Sequence, residues 1–330
     1  MTSRAISRRG LLSGCAAGLA GAAAATAATG CRAHRGDVVR IGFMTNLTHA
    51  PVILGVASGR IEKALGVRVE SRSFRAGPRV VEALVGDAID VGVAGPGAII
   101  YTHARHGAGF LRVLSGCASG GASFVVGSGA GIRGPGDLRG KTLATTQIGT
   151  MQDIALRKYL RAHGYGAAEH GGEVTVHALD PATILAEVRN GALDGAWLPE
   201  PWATRMVQDA GAVRLIDERD LWPGRVFPNA VVACRGDFVR GSAPLAARVT
   251  EAIGAEIDRA QQEPPVATSD AVGDALGAIL GKPLPRALVE EAWRWVDFTR
   301  DPLRDALETI ANDAWTLGLA PQTTCSTLFG

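Results

Sequence analysis

Thr145-Thr146-Gln147-Ile148-Gly149-Thr150 stands between a predicted strand at 141–145 and a predicted helix at 151–163. A chain entering a helix in this way aims free backbone N–H groups, hydroxyls and the positive end of the helix dipole at one point. Such a point seats an oxyanion without a buried lysine. Thr145, Gln147, Gly149 and Thr150 are therefore the leading anion contacts, with ordinary helix capping as the alternative use of the same residue types. A second strand-to-helix turn carries Asn46, Thr48 and His49 ahead of Pro51, whose missing N–H suits a first helical turn. Thr48 can cap that helix as well as touch a ligand. His49 has two readings: a hydrogen-bonded structural residue, or a solute contact that donates one bond when neutral and attracts an anion when protonated.

Ala76-Gly77-Pro78 and Gly95-Pro96-Gly97 keep side chains small where a ligand or an opposing lobe would approach, and turn geometry explains them equally well. Arg75 beside the first of these turns points to solvent or adds positive charge at a cleft rim. In Trp197-Leu198-Pro199-Glu200-Pro201-Trp202 a strand hands over to a helix. On a cleft wall Glu200 would repel a simple oxyanion and favour a zwitterion such as an aminosulfonate; turned inward it would serve the helix N-terminus. Trp202 covers an alkyl or aryl tail or packs between lobes, and Asn229 offers an amide. No Gly-x-Ser-x-Gly, zinc helix or P-loop occurs. The expectation is a binding site with no catalytic residue, no metal and no cofactor.

These turns need a frame. From residue 38 onward short apolar runs alternate with helical segments, the order of a parallel or mixed α/β sheet. Strands are predicted at 38–43, 67–74, 89–94, 110–117 and 122–127, with helices at 51–65 and 79–86. After a glycine-rich stretch at 127–136 a second unit begins, with strands at 141–145, 173–179, 192–198 and 214–216 and helices at 151–163 and 181–190. A return strand at 230–234 leads into a largely helical end at 244–319. Two α/β units joined by crossovers near Val125 and Val231 imply two lobes about a hinge: 37–126 with 231–330, and 127–230 between them. A ligand belongs in the cleft, beyond the carboxyl ends of the strands. The last helices are expected to pack on the first lobe, with Trp293, Trp295 and Trp315 as core anchors.

The beginning of the chain reads as an address. Arg4, Arg8 and Arg9 precede an acid-free Ala/Gly stretch, and Ser7-Arg8-Arg9-Gly10-Leu11-Leu12 resembles a twin-arginine export signal. Ala28-Thr29-Gly30-Cys31 is similar to a bacterial lipoprotein box, which makes 1–30 a lipoprotein signal peptide and Cys31 the lipidated residue. Its removal takes three arginines and no acid, so the formal charge of +2 becomes −1. That balance, with 47% hydrophobic and 20% charged residues, fits a globular protein and excludes a basic nucleic-acid footprint. Cys117, Cys234 and Cys325 are too widely spaced for zinc; Cys117 and Cys234 fit burial in apolar runs, and one bridge is open to the three.

Several pieces, in order, resemble the periplasmic binding proteins of the nitrate, taurine and aliphatic-sulfonate group. They are Arg40-Ile41-Gly42-Phe43 with Asn46-Leu47-Thr48-His49-Ala50-Pro51, Phe74 with Ala76-Gly77-Pro78 and Glu82-Ala83-Leu84, Ile89-Asp90-Val91-Gly92 with Gly95, and Asp137-Leu138-Arg139-Gly140-Lys141. The resemblance runs from about 38 to about 260. It implies a bilobal type II binding-protein fold, capture of a small oxyanion with sulfonate first, and partnership with the permease and ATPase of an ABC importer. It also implies an exported monomer, anchored by lipid on the outer face of the membrane or free in the periplasm. Some proteins of this fold make pyrimidine or menaquinone precursors, but the cysteine-rich iron-binding run of the pyrimidine synthases is absent here. A regulator of the LysR type would need a helix-turn-helix ahead of Asp37, where a signal stands instead. A ligand-sensing adaptor for a receptor is the remaining alternative.

Overall fold

The computed structural model describes residues 37–263, 265–281 and 283–329. The expected signal at 1–30 and Cys31 lie outside the described residues. The strands are β1 (Val38–Met44), β2 (Arg68–Phe74), β3 (Val91–Ala94), β4 (Leu111–Gly120), β5 (Ala122–Val126), β6 (Thr142–Thr145), β7 (Thr175–Ala178), β8 (Gly195–Pro199), β9 (Val213–Asp217), β10 (Pro228–Arg235) and β11 (Val296–Phe298). The helices are α1 (Ala50–Ala57), α2 (Arg60–Leu65), α3 (Gly77–Val85), α4 (Pro96–His106), α5 (Met151–Ala162), α6 (Pro181–Arg189), α7 (Trp202–Ala210), α8 (Gly236–Gly241), α9 (Ala243–Gln262), α10 (Pro265–Leu280), α11 (Arg286–Trp293) and α12 (Arg304–Thr316).

Two mixed sheets result, in the orders β11-β4-β10-β3-β1-β2 and β7-β6-β8-β5-β9. In each, the first strand of its unit pairs in parallel with the next two, β1 with β2 and β3, β6 with β7 and β8. The antiparallel strand beside this parallel set comes from the chain passing between sheets: β10 lies on β3, and β5 lies on β8. The fully buried β3 and β8 carry short apolar runs, as strands covered on both faces must. The edge strand β2 instead exposes Arg68, Glu70 and Arg72, charges that discourage pairing with another chain. The helices follow the same logic. Along α3, Val80, Val81 and Leu84 recur on one face and are buried, while Arg79 donates to Glu82 at 2.7 Å on the exposed face.

The change of sheet falls earlier than the sequence reading placed it. Gly120 and Gly121 adopt φ of 67° and 70°, a left-handed pair that turns β4 out of the first sheet and into β5 of the second. Thus 122–126 pairs in the second sheet and 228–230 in the first, where the expected boundaries were 126 and 231. The C-terminal half also differs in detail. Residues of α9, α10 and α11 fill the outer face of the first sheet around Val249, Ile253, Val272 and Trp293. By contrast, α12 meets both lobes: Leu307 and Ile310 join a core shared with Leu84, Ile99, Phe124 and Leu156. Lys158 of α5 pairs with Asp313 at 2.7 Å, and Arg161 donates to the Thr316 carbonyl at 2.8 Å. Of the three expected tryptophan anchors, Trp293 is buried, Trp295 is half-buried under Arg214, and Trp315 is 46% exposed. Cys117, Cys234 and Cys325 are buried free thiols, and burial pushes each up to about 12.

Candidate functional site

A cavity of about 560 Å³ lies between the two sheets and takes its wall from both. It collects the starts of helices. Gly77 and Pro78 open α3, Gly95 caps α4, Thr150 and Met151 open α5, Asp180 and Pro181 open α6, and Pro201 and Trp202 open α7. Asn46 and Thr48 join them from the turn after β1. This convergence follows from topology. Parallel strands β1, β2 and β3 of one sheet and β6, β7 and β8 of the other all run toward the gap, so the turns after β2, β3, β6, β7 and β8 deliver the five helix starts and the turn after β1 delivers Asn46 and Thr48. Five N-termini aimed at one space make it electropositive before any side chain is counted.

The deep wall is neutral and largely bonded to itself. Thr48, Gly77, Ala98, Met151, Gln152, Pro199, Pro201 and Asn229 are buried. Gln152 donates to the Asn229 side-chain oxygen at 3.2 Å, and Asn229 donates to the Gly120 carbonyl at 2.7 Å. Asn46 accepts from the Thr48 N–H at 3.2 Å and from its hydroxyl at 3.3 Å. The ionisable residues of the wall among the described residues are Arg75 and Asp180, both exposed, and Arg205, half-buried. A second crevice of about 680 Å³ lies between α3, α4 and the end of α12, and Gln147 borders both spaces.

Asn46, Thr48, Gly77, Gly95, Gln147, Thr150, Trp202 and Asn229 meet on the wall of the first cavity. Five other expected site residues do not. Thr145 is buried and donates to Asp153 at 3.2 Å, while the Gly149 N–H donates to the other Asp153 oxygen at 2.9 Å. Arg157 completes the shell of that carboxylate at 2.9 Å. The protein's own anion therefore takes two of the four donors that the sequence suggests for a ligand, Thr145 and Gly149, and Gly149 borders the second crevice instead. Pro96 is the buried first residue of α4, behind Gly95. His49 is fully buried, its Nδ1 accepts from the Met44 N–H at 3.2 Å, and burial lowers it to about 3. It stays neutral and offers no charge to an anion. Glu200 is fully buried, held by Arg214 at 2.7 Å and by the Thr204 N–H at 3.1 Å, so it faces away from the cavity. Burial raises its carboxyl above the ordinary range, against the pull of Arg214.

Asp153 is not among the expected residues, although the sequence holds a signal for it. Thr150-x-x-Asp153 has the spacing of a capping box, in which the third helical residue reaches back to the entering chain. Arg205 and Gln152 carried no motif; their positions follow only from which face of α7 and α5 meets the gap.

Gly97 shows why one of these turns must be small. A Cβ on it would sit 2.5 Å from the Gly149 carbonyl oxygen of the opposite lobe. Gly97→Ala is expected to cost this arrangement about 1–3 kcal/mol, a shift of roughly 5- to 150-fold toward separated lobes. Small-angle scattering checks it through an increased radius of gyration; an unchanged radius would mean that this contact does not limit lobe approach.

The fold is that of two-lobed binding proteins. It superposes on the alkanesulfonate-binding protein of Xanthomonas axonopodis pv. citri bound to MOPS with a TM-score of 0.72 at 20% identity, over 89% of this chain and 98% of that one. The nitrate-binding protein of Synechocystis PCC 6803 gives 0.72 at 16% identity, over 88% and 84%. The chain belongs to the NMT1-like family, whose sequence profile matches residues 33–262. A Brucella abortus (strain 2308) relative, named only for binding and that provisionally, is 25% identical over 196 residues. That match covers 59% of this chain and spans 58% of the relative's length.

Proposed function

We propose that this chain is an extracytoplasmic solute-binding protein that captures a small organic oxyanion, a sulfonate first, and delivers it to the permease and ATPase of an ABC importer. The observation that carries this reading is the convergence of five helix N-termini on one cavity between two lobes. Gln147 and the Asn46 side-chain N–H groups supply hydrogen bonds, Thr48, Thr150 and Asn229 stand behind them with their own donors bonded within the wall, Gly77 and Gly95 let backbone approach the solute, and Trp202 covers its apolar part. Solute enters between the lobes, contacts both, and stabilises the closed arrangement by that difference in contacts. The protein acts as a monomer, exported by the segment at 1–30 and held at the membrane through Cys31. Binding rather than catalysis is favoured because the cavity wall carries no His, Cys, Lys or Ser among the described residues.

The size of the cavity supports an organic ligand. About 560 Å³ falls in the range of roughly 300–1,000 Å³ that encloses drug-sized molecules, whereas nitrate or sulfate would leave most of it wet. The Xanthomonas neighbour was solved with MOPS, itself an organic sulfonate. With Glu200 turned inward, an ammonium group would find only Asp180 on the wall, so taurine should bind less well than plain sulfonates of similar size.

A thermal-shift series of the mature protein tests this with MOPS, alkyl and aryl sulfonates, taurine, sulfate and nitrate. A ligand at 100 times its Kd stabilises the folded state by about 2.7 kcal/mol, a rise of several degrees in Tm. Organic sulfonates are expected to give that rise. A rise with neutral or cationic solutes alone would overturn the oxyanion reading.

A further inference from the structure

Three charged side chains lie on the cavity wall, each at or beside the start of a helix. Among the ionisable wall residues, Arg75 precedes α3 in the first lobe and is exposed, and Arg205 lies on α7 in the second lobe and is half-buried. Arg75 has no hydrogen bond or ion pair among the described residues. Arg205 uses its Nε toward Asp209 at 3.1 Å, and its guanidinium lies 4.7 Å over the Trp202 ring. Its terminal nitrogens make no bond among the described residues. The third charge, Asp180, already accepts the Ala182 N–H at 2.9 Å as the cap of α6. Two guanidiniums thus line one cavity from opposite lobes. On the same wall, Met44, Met151, Pro199, Trp202 and Leu284 give an apolar lining, the amides of Gln152 and Asn229 are bonded to each other, and the α5 seat is filled by Asp153.

We infer that Arg75 and Arg205 form a clamp for the anionic head of the solute at the mouth of the cavity, with the apolar body of an alkyl or aryl sulfonate pointing inward. The inference rests on the oxyanion reading and adds the orientation of the ligand and the two residues that decide its class. A guanidinium presents a planar fork of donors that matches a sulfonate's oxygens, and Trp202 holds one fork in place by stacking. The clamp also explains coupling between binding and closure. Without an anion, two like charges on opposite lobes favour separation; an anion between them reverses the sign of that interaction.

The test is titration calorimetry with MOPS and with an alkyl sulfonate on the wild-type mature protein, Arg75→Gln, Arg205→Gln, Arg205→Lys and the Arg75→Gln/Arg205→Gln double variant. The Tm of each empty protein serves as the folding control. Each Gln variant is expected to raise Kd at least tenfold at unchanged empty-state Tm, with Arg205→Lys between wild type and Arg205→Gln. The double variant should lose less than the product of the single losses, because both contacts act through one anion. Binding to wild type with less than a twofold change in the Gln variants would overturn the clamp and leave the oxyanion reading standing. Absence of sulfonate binding to wild type would overturn both.

Discussion

Arg214→Met is expected to destabilise the protein by about 3–5 kcal/mol at neutral pH, the usual cost of leaving a buried charge without its partner. Glu200 is fully buried, and its two oxygens are divided between the Arg214 guanidinium at 2.7 Å and the Thr204 N–H at 3.1 Å. The same guanidinium reaches the Thr204 hydroxyl at 3.1 Å and the Ser123 hydroxyl, and covers the Trp295 ring at 3.8 Å. One side chain therefore joins β9, β5, α7 and the segment before β11. Burial already raises the Glu200 carboxyl, and Arg214 opposes that rise. Without Arg214 the carboxyl must take up a proton or remain charged in an apolar site. The loss should accordingly be largest at neutral and alkaline pH and smaller in acid, where uptake of a proton by Glu200 relieves the unpaired charge. Glu200→Gln, which keeps an acceptor for Thr204 and removes the buried charge, should cost only about 1–2 kcal/mol. Urea unfolding of the three proteins at pH 5 and pH 7.5 reads both effects. A loss below 1 kcal/mol for Arg214→Met at pH 7.5 would show that Glu200 is not held by this pair.

The case of Glu200 shows where sequence reasoning stops. Alternation of apolar runs with helical segments is a local signal, and from it the strands of both units follow to within a few residues, whereas α4 is not read from it and the helix expected at 51–65 is broken into α1 and α2. Strand-to-helix turns can be read too, because Pro51, Pro78, Pro96 and Pro181 mark first helical turns, and the cavity is made of such turns. What a carboxylate faces is a nonlocal matter. Arg214 reaches Glu200 because β9 and β8 flank β5, a pairing that no local pattern encodes. The same holds for His49. Its turn was legible, but whether the ring lies on the cavity or under it depends on residues packed above it. Asp153 differs, since its capping spacing stands in the sequence, but only the structure shows Gly149 and Thr145 spending their donors on it. The boundary at Gly120–Gly121 was hidden because β4 and β5 are consecutive buried strands, and only their partners tell which sheet each joins. The short β11 was hidden among helices for the same reason.

Glu218→Gln is expected to reverse its effect on stability across the neutral range. Glu218 lies in the link between β9 and β10, where the chain passes back from the second sheet to the first, and it is fully buried. One oxygen accepts from the Trp197 indole N–H at 2.7 Å; the other has no partner among the described residues. Burial dominates and pushes the carboxyl up to about 8, against the indole N–H groups of Trp197 and Trp222 and the charge of Lys158, while Asp217 next to it adds to the rise. The folded protein therefore holds a proton that the unfolded chain releases near the ordinary value of 4.5. Folding takes up this proton between about 4.5 and 8, so its contribution to stability is complete below that window and is lost as pH rises through it. At about 1.4 kcal/mol for each pH step, the change across the whole window is roughly 5 kcal/mol. Glutamine has no such titration. It should be no better than wild type near pH 5, since its amide adds buried donors without partners, and clearly better at pH 8.5, where the wild type must bury a carboxylate. His49, whose lowered value gives stability that is lost as pH falls below its ordinary 6.5, acts in the opposite sense and equally in both proteins. The difference between the two denaturation free energies, measured from pH 5 to pH 8.5, isolates Glu218. Parallel curves would mean that its carboxyl titrates near the ordinary value; crossing curves would place a neutral, proton-bearing glutamic acid in the link between the lobes, where any motion that admits water must also release that proton.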